Sequence, residues 1–387
     1  MSCKRKICVL TATRAEYGLL RTVIRRLSEQ AGVDLRIAVT GAHLSPALGL
    51  SCKEIEADGF PIDTKIDILL GSGSASSISK SMGLAMIGFA EYFERSRPGL
   101  LLLLGDRYET FAVAAAATNA RIPISHLYGG ESTEGAVDEC YRHSITKISH
   151  LHFTSTDEYR RRVIQLGEDP GKVFNVGALG VENALKIEPL SKRALEESIN
   201  FRLDKPYAVV TFHPATTEDN TGEAQCEELL SALSEIPSMK FIITKANADA
   251  GGSAINELID KYAWNNPQVY ATASLGWRRY LSALKYAEVV VGNSSSGLIE
   301  APSFHIPTVN IGDRQKGRIR SGSVIDCDPM KDSILVAVDK ARSDCFRDKA
   351  SICNNPYHNT NTSQNIVSRI IEFYGIIDIK KKFFPCL

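Results

Sequence analysis

The segment Val289–Glu300, VVVGNSSSGLIE, joins a run of valines to a turn of small polar residues. The stretch AEVVVGN has no polar alternation at its centre, which is typical of a strand buried on both faces. The turn SSSG follows, and LIEAPSF from Leu298 onward begins a helix. Strand, turn and helix in this order predict the repeating unit of an α/β fold with a parallel sheet.

The same rhythm of strands and helices runs through most of the chain. Apolar runs, each followed by a turn or by helical spacing, include KICVLTA (6–12), GLLLLLGD (99–106), YAVVTFHP (207–214) and KFIITKAN (240–247). A charged stretch that holds Pro189 and Pro206 interrupts them, which predicts a domain boundary near residues 183–205. We therefore expect two doubly wound lobes. The first is 1–185, completed by a C-terminal helix at 362–387, and the second is 186–361.

Length, charge and cysteine content limit the possible functions. A chain of 387 residues predicts about two domains. Lys plus Arg and Asp plus Glu number 45 each, so no global field attracts nucleic acid or an anionic membrane. The nine cysteines form no C-x-x-C pair, which favours reduced thiols. Without a signal-like or membrane-spanning apolar run, the protein is expected to be cytoplasmic.

The polar turn after the valines is a candidate phosphate site. Ligands of doubly wound folds bind beyond the carboxyl ends of the strands, where helix N-termini present N–H groups. The candidate residues are Ser294, Ser295, Ser296 and Gly297. The serines could instead only cap their own helix. Glu300, three residues after Gly297, and Arg314, after the next apolar run, favour a ligand site over a simple cap. Arg314 suits a diphosphate, because two adjacent anions need N–H groups and arginine forks.

Two further strand ends in the second half carry polar residues. His213 follows YAVVTF, and Asn247 follows FIITKA. Each has a simpler interpretation, His213 as a structural hydrogen-bonding residue and Asn247 as a turn former. Their position beside the serine turn favours ligand binding.

The first half places charged residues at its own strand ends. Arg14 follows the first strand, Asp106 and Arg107 follow the leucine run, and Glu131 follows a Gly-Gly turn. The next helix carries Asp138, Arg142 and His143. The spacing of Asp138 and Arg142 would also fit a plain surface ion pair. So many acids at strand ends favour a site that uses carboxylates. Metal-ligand spacing, a P-loop and G-x-G-x-x-G are lacking in the sequence, so no metal or cofactor is expected.

Taken in order, these motifs resemble a known family. TRAEYG, TGAHLS, LGDRYET, GGE, D-E-x-x-RHSITK, HP, N-x-D-A-G, GNSSSG-x-x-E and GDRQKGR, within about residues 5–330, are similar to those of the hydrolysing UDP-N-acetylglucosamine 2-epimerases. The resemblance implies two Rossmann-like lobes of the GT-B kind with a cleft between them. UDP would be held mainly by the second lobe, and the sugar would face the first. It also implies a homodimer or homotetramer.

The resemblance assigns roles at matching positions. Substrate binding falls to Arg14, His43, Arg107, His213, Asn247, Ser294, Ser295, Ser296, Gly297, Glu300 and Arg314. The reaction side consists of Asp106, Glu131, Asp138, Arg142 and His143. One position departs from the pattern, because Tyr128 stands where the family leads us to expect histidine or glutamate. A phenol of pKa about 10 is a poor base at neutral pH, which favours Asp106, Glu131 and Asp138.

The implied reaction begins with departure of UDP, since C2 of an N-acetylhexosamine has no adjacent carbonyl to acidify its proton. Loss of the C2 proton then gives a glycal, and water adds at C1. UDP-N-acetylglucosamine, which would yield N-acetylmannosamine for sialic acid synthesis, is the first choice of substrate. UDP-2,4-diacetamido-2,4,6-trideoxyglucose is the second. A GT-B glycosyltransferase that needs an acceptor and a non-catalytic UDP-sugar sensor are the other classes considered.

Overall fold

The computed structural model describes residues 4–70, 74–134, 136–214, 222–246 and 251–385. Its helices and strands, in chain order, are β1 (Arg5–Thr11), α1 (Arg14–Glu29), β2 (Val33–Thr40), α2 (Cys52–Ala57), β3 (Thr64–Ile66), α3 (Ala75–Ser96), β4 (Leu100–Leu104), α4 (Tyr108–Asn119), β5 (Ile124–Leu127), α5 (Asp138–Ile148), β6 (Leu151–Thr154), α6 (Asp157–Gln165), β7 (Val173–Asn175), α7 (Leu179–Lys186), α8 (Lys192–Ile199), β8 (Tyr207–Thr211), α9 (Gly222–Ser234), β9 (Lys240–Thr244), α10 (Gly252–Trp264), β10 (Val269–Thr272), α11 (Gly276–Tyr286), β11 (Val289–Gly292), α12 (Ser295–Ile299), β12 (Thr308–Ile311), β13 (Val324–Cys327), α13 (Lys331–Arg342), α14 (Asp344–Ile352) and α15 (Thr362–Phe373).

The chain divides into two compact units. Unit 1 contains Met1–Glu131, Asp138–Glu182 and Asn359–Leu387, and unit 2 contains Ser132–Val137 and Asn183–His358. The short segment Ser132–Val137 therefore belongs to unit 2, although its neighbours on both sides in the chain belong to unit 1.

Unit 1 is built on a parallel sheet in the order β3-β2-β1-β4-β5-β6-β7. Alternate residues of β1 enter different cores: Ile7 and Val9 pack in one, and Cys8 and Leu10 in the other. Burial on both faces explains why the strand sequence lacks polar alternation. The strand order reverses between β1 and β4, where ligands of such sheets bind.

Unit 2 repeats this plan in the order β10-β9-β8-β11-β12-β13, again with parallel pairing. Val289 and Val291 enter one core and Val290 enters the other, so the valine run is buried on both faces as its sequence predicts. The order reverses between β8 and β11, which places the turn after β11 at the switch point of this sheet. The predicted α/β class with two doubly wound parallel sheets is confirmed.

The C-terminal segment is part of unit 1. α15 packs against α1, and Ser363 in its first turn donates through its backbone N and its Oγ to the Glu182 carboxylate, at 2.7 and 3.0 Å. Within the ranges that the structure describes, no helix combines the length and apolar character needed to cross a bilayer.

The buried carboxylate of Glu168 connects the C-terminal segment to β6 and α5. Glu168 accepts hydrogen bonds from His152 Nε2 of β6 at 2.9 Å, Lys147 Nζ of α5 at 2.8 Å and Lys381 Nζ at 2.7 Å. Burial alone would raise the pKa of Glu168, but the three donors outweigh it and lower the pKa to about 2. Lys381 also donates to the backbone oxygen of Lys147 at 2.6 Å, near the C-terminus of α5.

Candidate active site

In unit 2, the ends of β8 and β11 are joined by one buried side chain. Asn293 accepts from the backbone N of His213 and donates to the backbone O of His213, both at 2.8 Å. Gly292 before it has φ of +133°, and a Cβ there would clash with the backbone of Thr211. Only glycine permits this close approach of the two strand ends.

The turn after β11 differs in part from the expected phosphate cradle. The helix begins at Ser295 rather than Leu298, and α12 ends at Ile299 before a 3₁₀ turn, Ala301–Phe304. Pro302 explains the early end, because proline cannot continue the helical hydrogen bonds and restrains the residue before it. Because α12 is so short, its dipole is small. Any binding of phosphate at this turn would therefore depend more on its hydrogen-bond donors than on the charge of the helix end.

Ser294 and Gly297 of this turn have structural roles. The hydroxyl of Ser294 accepts from Ser296 N at 3.4 Å, so Ser294 is the N-cap, which is the simpler role that the sequence also allowed. A Cβ on Gly297 would lie 2.7 Å from Thr308 Cγ2, and Thr308 Oγ1 donates to Gly297 O at 2.8 Å. Gly297 thus permits close packing against β12.

The loop after β12 reaches this turn. Arg314 Nη1 and Gln315 Nε2 both donate to the backbone O of Asn293, at 3.2 and 2.9 Å. The predicted binding residues His213, Arg314 and the serine turn are therefore linked through Asn293. Glu300 lies at the C-cap of α12. Asn247, also predicted to bind substrate, lies outside the described residues.

In unit 1, Arg142 of α5 is the centre of a buried charge network. Its side chain is 1% exposed, and Nε and Nη2 donate to Asp106 Oδ2, the former at 2.9 Å. Nη1 donates to Glu139 Oε2 and, at 3.1 Å, to the backbone O of Glu131. Arg142 is not on a solvated helix face, so a plain surface ion pair does not describe it. The guanidinium connects the ends of β4 and β5 to α5.

Two further predicted reaction residues join this network. Glu131 is buried, and its Oε1 accepts from Ser155 Oγ at 2.8 Å. His143 Nε2 lies 3.0 Å from Oε1 of Glu139, whose other oxygen meets Arg142. Asp138 is the first residue of α5. Among the predicted reaction residues, Asp106 and His143 retain side-chain exposure of 24% and 28%, which permits contact with a ligand.

The other strand ends of unit 1 carry two partly buried arginines and one fully buried histidine. Arg107 Nε lies 3.2 Å from the buried Glu109 carboxylate, and burial lowers the pKa of Arg14. His43 is fully buried, and its ring nitrogens lie 2.9 Å from Thr11 Oγ1 and 2.8 Å from Ser51 Oγ. Burial lowers its pKa to about 4, so the ring is neutral at pH 7. In this structure His43 supports the end of β1, and its predicted role in substrate binding stays a prediction.

Tyr128 is fixed by a backbone hydrogen bond and by packing of its ring. Its hydroxyl accepts from Leu179 N, at the start of α7, at 2.8 Å, and its ring packs against the core of unit 1. Its φ of +71° is unusual for a residue other than glycine, and the Gly129-Gly130 turn follows directly.

Three residues outside the predicted set of site residues make contacts in the two units. Glu139 bridges Arg142 and His143, and the i, i+3 spacing to Arg142 was its signal. Glu16 ends the pattern Thr-x-x-Glu of a capping box, and its Oε2 accepts from Ala12 N at 2.8 Å. Burial raises the pKa of Glu16 to about 7. Gln315 adjoins Arg314 in GDRQ.

The described ranges hold no group of three or more His, Cys, Asp or Glu side chains arranged to bind a metal ion. The charges that could face a diphosphate are instead those of arginine side chains, together with N–H and hydroxyl donors of the turn after β11. These groups stabilise anions by charge-assisted hydrogen bonds.

Comparisons with known proteins agree on one family. The family model for UDP-N-acetylglucosamine 2-epimerase matches residues 25–371. The chain is 44% identical over 324 residues to GDP/UDP-N,N'-diacetylbacillosamine 2-epimerase (hydrolyzing) of Campylobacter jejuni, covering 84% of each. It is 42% identical over 370 residues to polysialic acid biosynthesis protein P7 of Escherichia coli, covering 95% and 94%. It is 39% identical over 337 residues to UDP-N,N'-diacetylbacillosamine 2-epimerase (hydrolyzing) of Legionella pneumophila, covering 87% and 89%.

A solved structure agrees on the fold. The crystal structure of UDP-GlcNAc 2-epimerase from Neisseria meningitidis bound to UDP-GlcNAc superposes with a TM-score of 0.80, at 17% identity. The match covers 95% of this chain and 100% of the other. The two sheets therefore belong to the GT-B type of α/β architecture.

Proposed function

Because this chain belongs to the hydrolysing UDP-N-acetylglucosamine 2-epimerase family, we propose that it cleaves a UDP-sugar with inversion at C2. The proposed substrate is UDP-N,N'-diacetylbacillosamine, which is UDP-2,4-diacetamido-2,4,6-trideoxyglucose. Water is consumed, and the products are UDP and 2,4-diacetamido-2,4,6-trideoxymannose. Relatives at 44% and 39% identity that carry this sugar in their names support it over the other sugar considered.

The observation that carries the reaction type is the network around Arg142. The Arg142 guanidinium donates to the Asp106 carboxylate and to the backbone O of Glu131. Asp138 is the first residue of α5, the helix that carries Arg142. An arginine with three fixed partners restricts the rotamers of the carboxylates around it, as proton transfer at a defined carbon requires.

Departure of the leaving group is assigned to unit 2. Arg314 and the donors of the turn after β11 would bind the diphosphate and stabilise the charge that develops as the C1–O bond breaks. The shared attachment of Arg314 and Gln315 to Asn293 O supports this assignment, because it presents the arginine beside the turn. Ser295 contributes a further hydroxyl at the first position of α12.

Proton transfer at C2 is assigned to unit 1. As the C1–O bond ionises, the C2 proton becomes acidic, and a carboxylate removes it to leave a glycal with a C1–C2 double bond. Water then adds its oxygen to C1 while a proton returns to C2 from the opposite face. Two groups are needed for the two faces, and Asp106, Glu131 and Asp138 are the candidates. Arg142 and His143 position and tune them.

UDP-N-acetylglucosamine is the second candidate substrate, favoured by the name of the family model. The same chemistry would then release N-acetylmannosamine. The two sugars differ at C4 and C6, where the first has an acetamido and a methyl group and the second has a hydroxyl and a hydroxymethyl group.

One experiment separates the candidates. The pure protein is incubated with each UDP-sugar, and with the GDP-linked diacetamido sugar, in deuterated water without any acceptor. We expect free UDP and the C2-epimerised diacetamido sugar by NMR, with a higher kcat/KM than for UDP-N-acetylglucosamine. A preference for UDP-N-acetylglucosamine would assign the second candidate, and turnover only with an added acceptor would indicate a glycosyltransferase.

A further inference from the structure

The middle of α3 exposes an apolar surface. Leu84, Met86 and Ile87 are 41%, 39% and 63% exposed, and they lie close together on the helix. The opposite face of α3 packs against α4 and contributes Phe89 and Phe93 to a core of unit 1. The outer face of a surface helix is normally polar, and neighbouring large apolar side chains on it indicate an interaction site. We call Leu84, Met86 and Ile87 the α3 patch.

The surroundings of Gly83 support this interpretation. Gly83 lies one turn before Ile87, and glycine within a helix is unfavourable unless packing requires it. A Cβ on Gly88 of the same helix would lie 2.6 Å from Ile66 Cγ2, so packing within unit 1 requires that glycine. A Cβ on Gly83 would have no described atom within 4 Å. The described contacts of unit 1 therefore do not account for Gly83, whereas a second helix packed closely against α3 would account for it.

Lys80 and Glu94 flank the α3 patch symmetrically. Lys80 lies seven residues before Ile87 and Glu94 lies seven residues after it, and both are exposed. Seven residues make nearly two helical turns, so all three side chains lie on one face. When two copies of α3 pack antiparallel with their Ile87 side chains in contact, each Lys80 lies opposite Glu94 of the partner subunit. In the same arrangement each Gly83 lies opposite Glu91 of the partner subunit and leaves room for its side chain.

We propose that the α3 patch is a homodimer surface, which binds a second copy of this chain as a two-fold antiparallel helix pair. A two-fold interface must be self-complementary, and the order of lysine, apolar residues and glutamate along α3 meets that requirement. A partner of a different sequence would not require this symmetry. Contacts of Leu84 and Ile87 supply the apolar centre, and the lysine–glutamate pairs at the rim fix the register. The inference does not depend on the proposed function.

The first test is the mass of the assembly, measured by sedimentation equilibrium. Wild-type protein should sediment with a mass of at least two 42.3 kDa chains. Ile87→Asp should halve the mass of the assembly, because it buries two unpaired carboxylates at the two-fold axis. Ile352→Asp is the matched control, since Ile352 is 81% exposed at the end of α14 and lies outside the patch. A monomeric wild type, or a wild-type mass in Ile87→Asp, would overturn the inference.

A charge swap tests the antiparallel register. Lys80→Glu and Glu94→Lys each place like charges opposite one another twice in the dimer, and each should raise its dissociation constant roughly tenfold. Lys80→Glu/Glu94→Lys restores opposite charges at both places, so its dissociation constant should return to within about threefold of wild type. Lys53→Glu, an exposed site on α2, should leave the dissociation constant unchanged. No recovery in the double variant, or an equal effect of Lys53→Glu, would contradict the proposed helix pair.

Discussion

Replacing Arg142 by Met tests the buried network of unit 1. Methionine keeps an unbranched apolar side chain of comparable length but removes every donor, which leaves Asp106 and Glu139 without the guanidinium. Removal of one partner from a buried ion pair costs roughly 3–5 kcal/mol. Because Asp106 and Glu139 are 24% and 26% exposed, water recovers part of that loss. We therefore expect Arg142→Met to lower the local stability of α5 by about 2–4 kcal/mol.

Hydrogen exchange of α5 is the measurement. Peptides from α5 should exchange roughly 30- to 700-fold faster in Arg142→Met, which is that free energy at 1.4 kcal/mol per tenfold. Both tryptophans, Trp264 and Trp277, lie in unit 2, so tryptophan fluorescence in urea should give an unchanged transition. Arg193→Met is the control, because the Arg193–Glu197 pair is 87% and 66% exposed and such pairs contribute little.

Turnover gives a second readout of the same variant. Loss of the group that orients Asp106 should lower kcat by roughly 100-fold, with UDP affinity unchanged. Unaltered exchange of α5 together with wild-type turnover would refute the reasoning. So would a loss of the same size in Arg193→Met.

Three other predictions concern separate parts of the molecule. Arg314→Ala should weaken UDP binding by about 1.5–3 kcal/mol by calorimetry, and Ser295→Ala by less because backbone donors remain; unchanged affinity would remove Arg314 from the site. Turnover should survive EDTA, since arginines and N–H groups are assigned to the diphosphate, and recovery only with an added divalent ion would contradict this. Glu168 has a pKa lowered to about 2, so its stabilisation is present above its unfolded pKa and is lost as the pH falls from about 4.5 to 2. Glu168→Gln should therefore lower the free energy of unfolding at pH 7 and flatten its decrease over that interval, measured by urea titration with circular dichroism; an equally steep decrease would count against the assignment.

The sheets were predictable because strands buried on both faces have apolar sequences without polar alternation. The valines of β11 and the leucines of β4 lack polar alternation, and the structure buries all of them. The bounds of α12 were less well predicted, since the helix begins at Ser295 and already ends at Ile299, before the 3₁₀ turn that contains Pro302. The role of Gly297 also depends on a contact with Thr308, which is 11 residues away in the chain.

The burial of single side chains could not be read from local patterns. His43, which was predicted to bind substrate, is buried between Thr11 and Ser51, and both of these partners come from other parts of the chain. Arg142 was predicted as a reaction residue, yet its i, i+4 spacing to Asp138 did not indicate the contact with Asp106, 36 residues away. The association of Ser132–Val137 with unit 2 has no local signal in the sequence, because the neighbours on both sides in the chain belong to unit 1.

The fate of the C2 hydrogen tests the central claim most directly. With its preferred UDP-sugar in deuterated water, the protein should release UDP and a C2-inverted sugar that carries one deuterium at C2, because the proton lost there is replaced from solvent. At least one of Asp106→Asn, Glu131→Gln and Asp138→Asn should lower the rate by roughly 10²- to 10⁴-fold with UDP affinity nearly unchanged. Protium retained at C2, or near wild-type turnover in all three variants, would contradict the account.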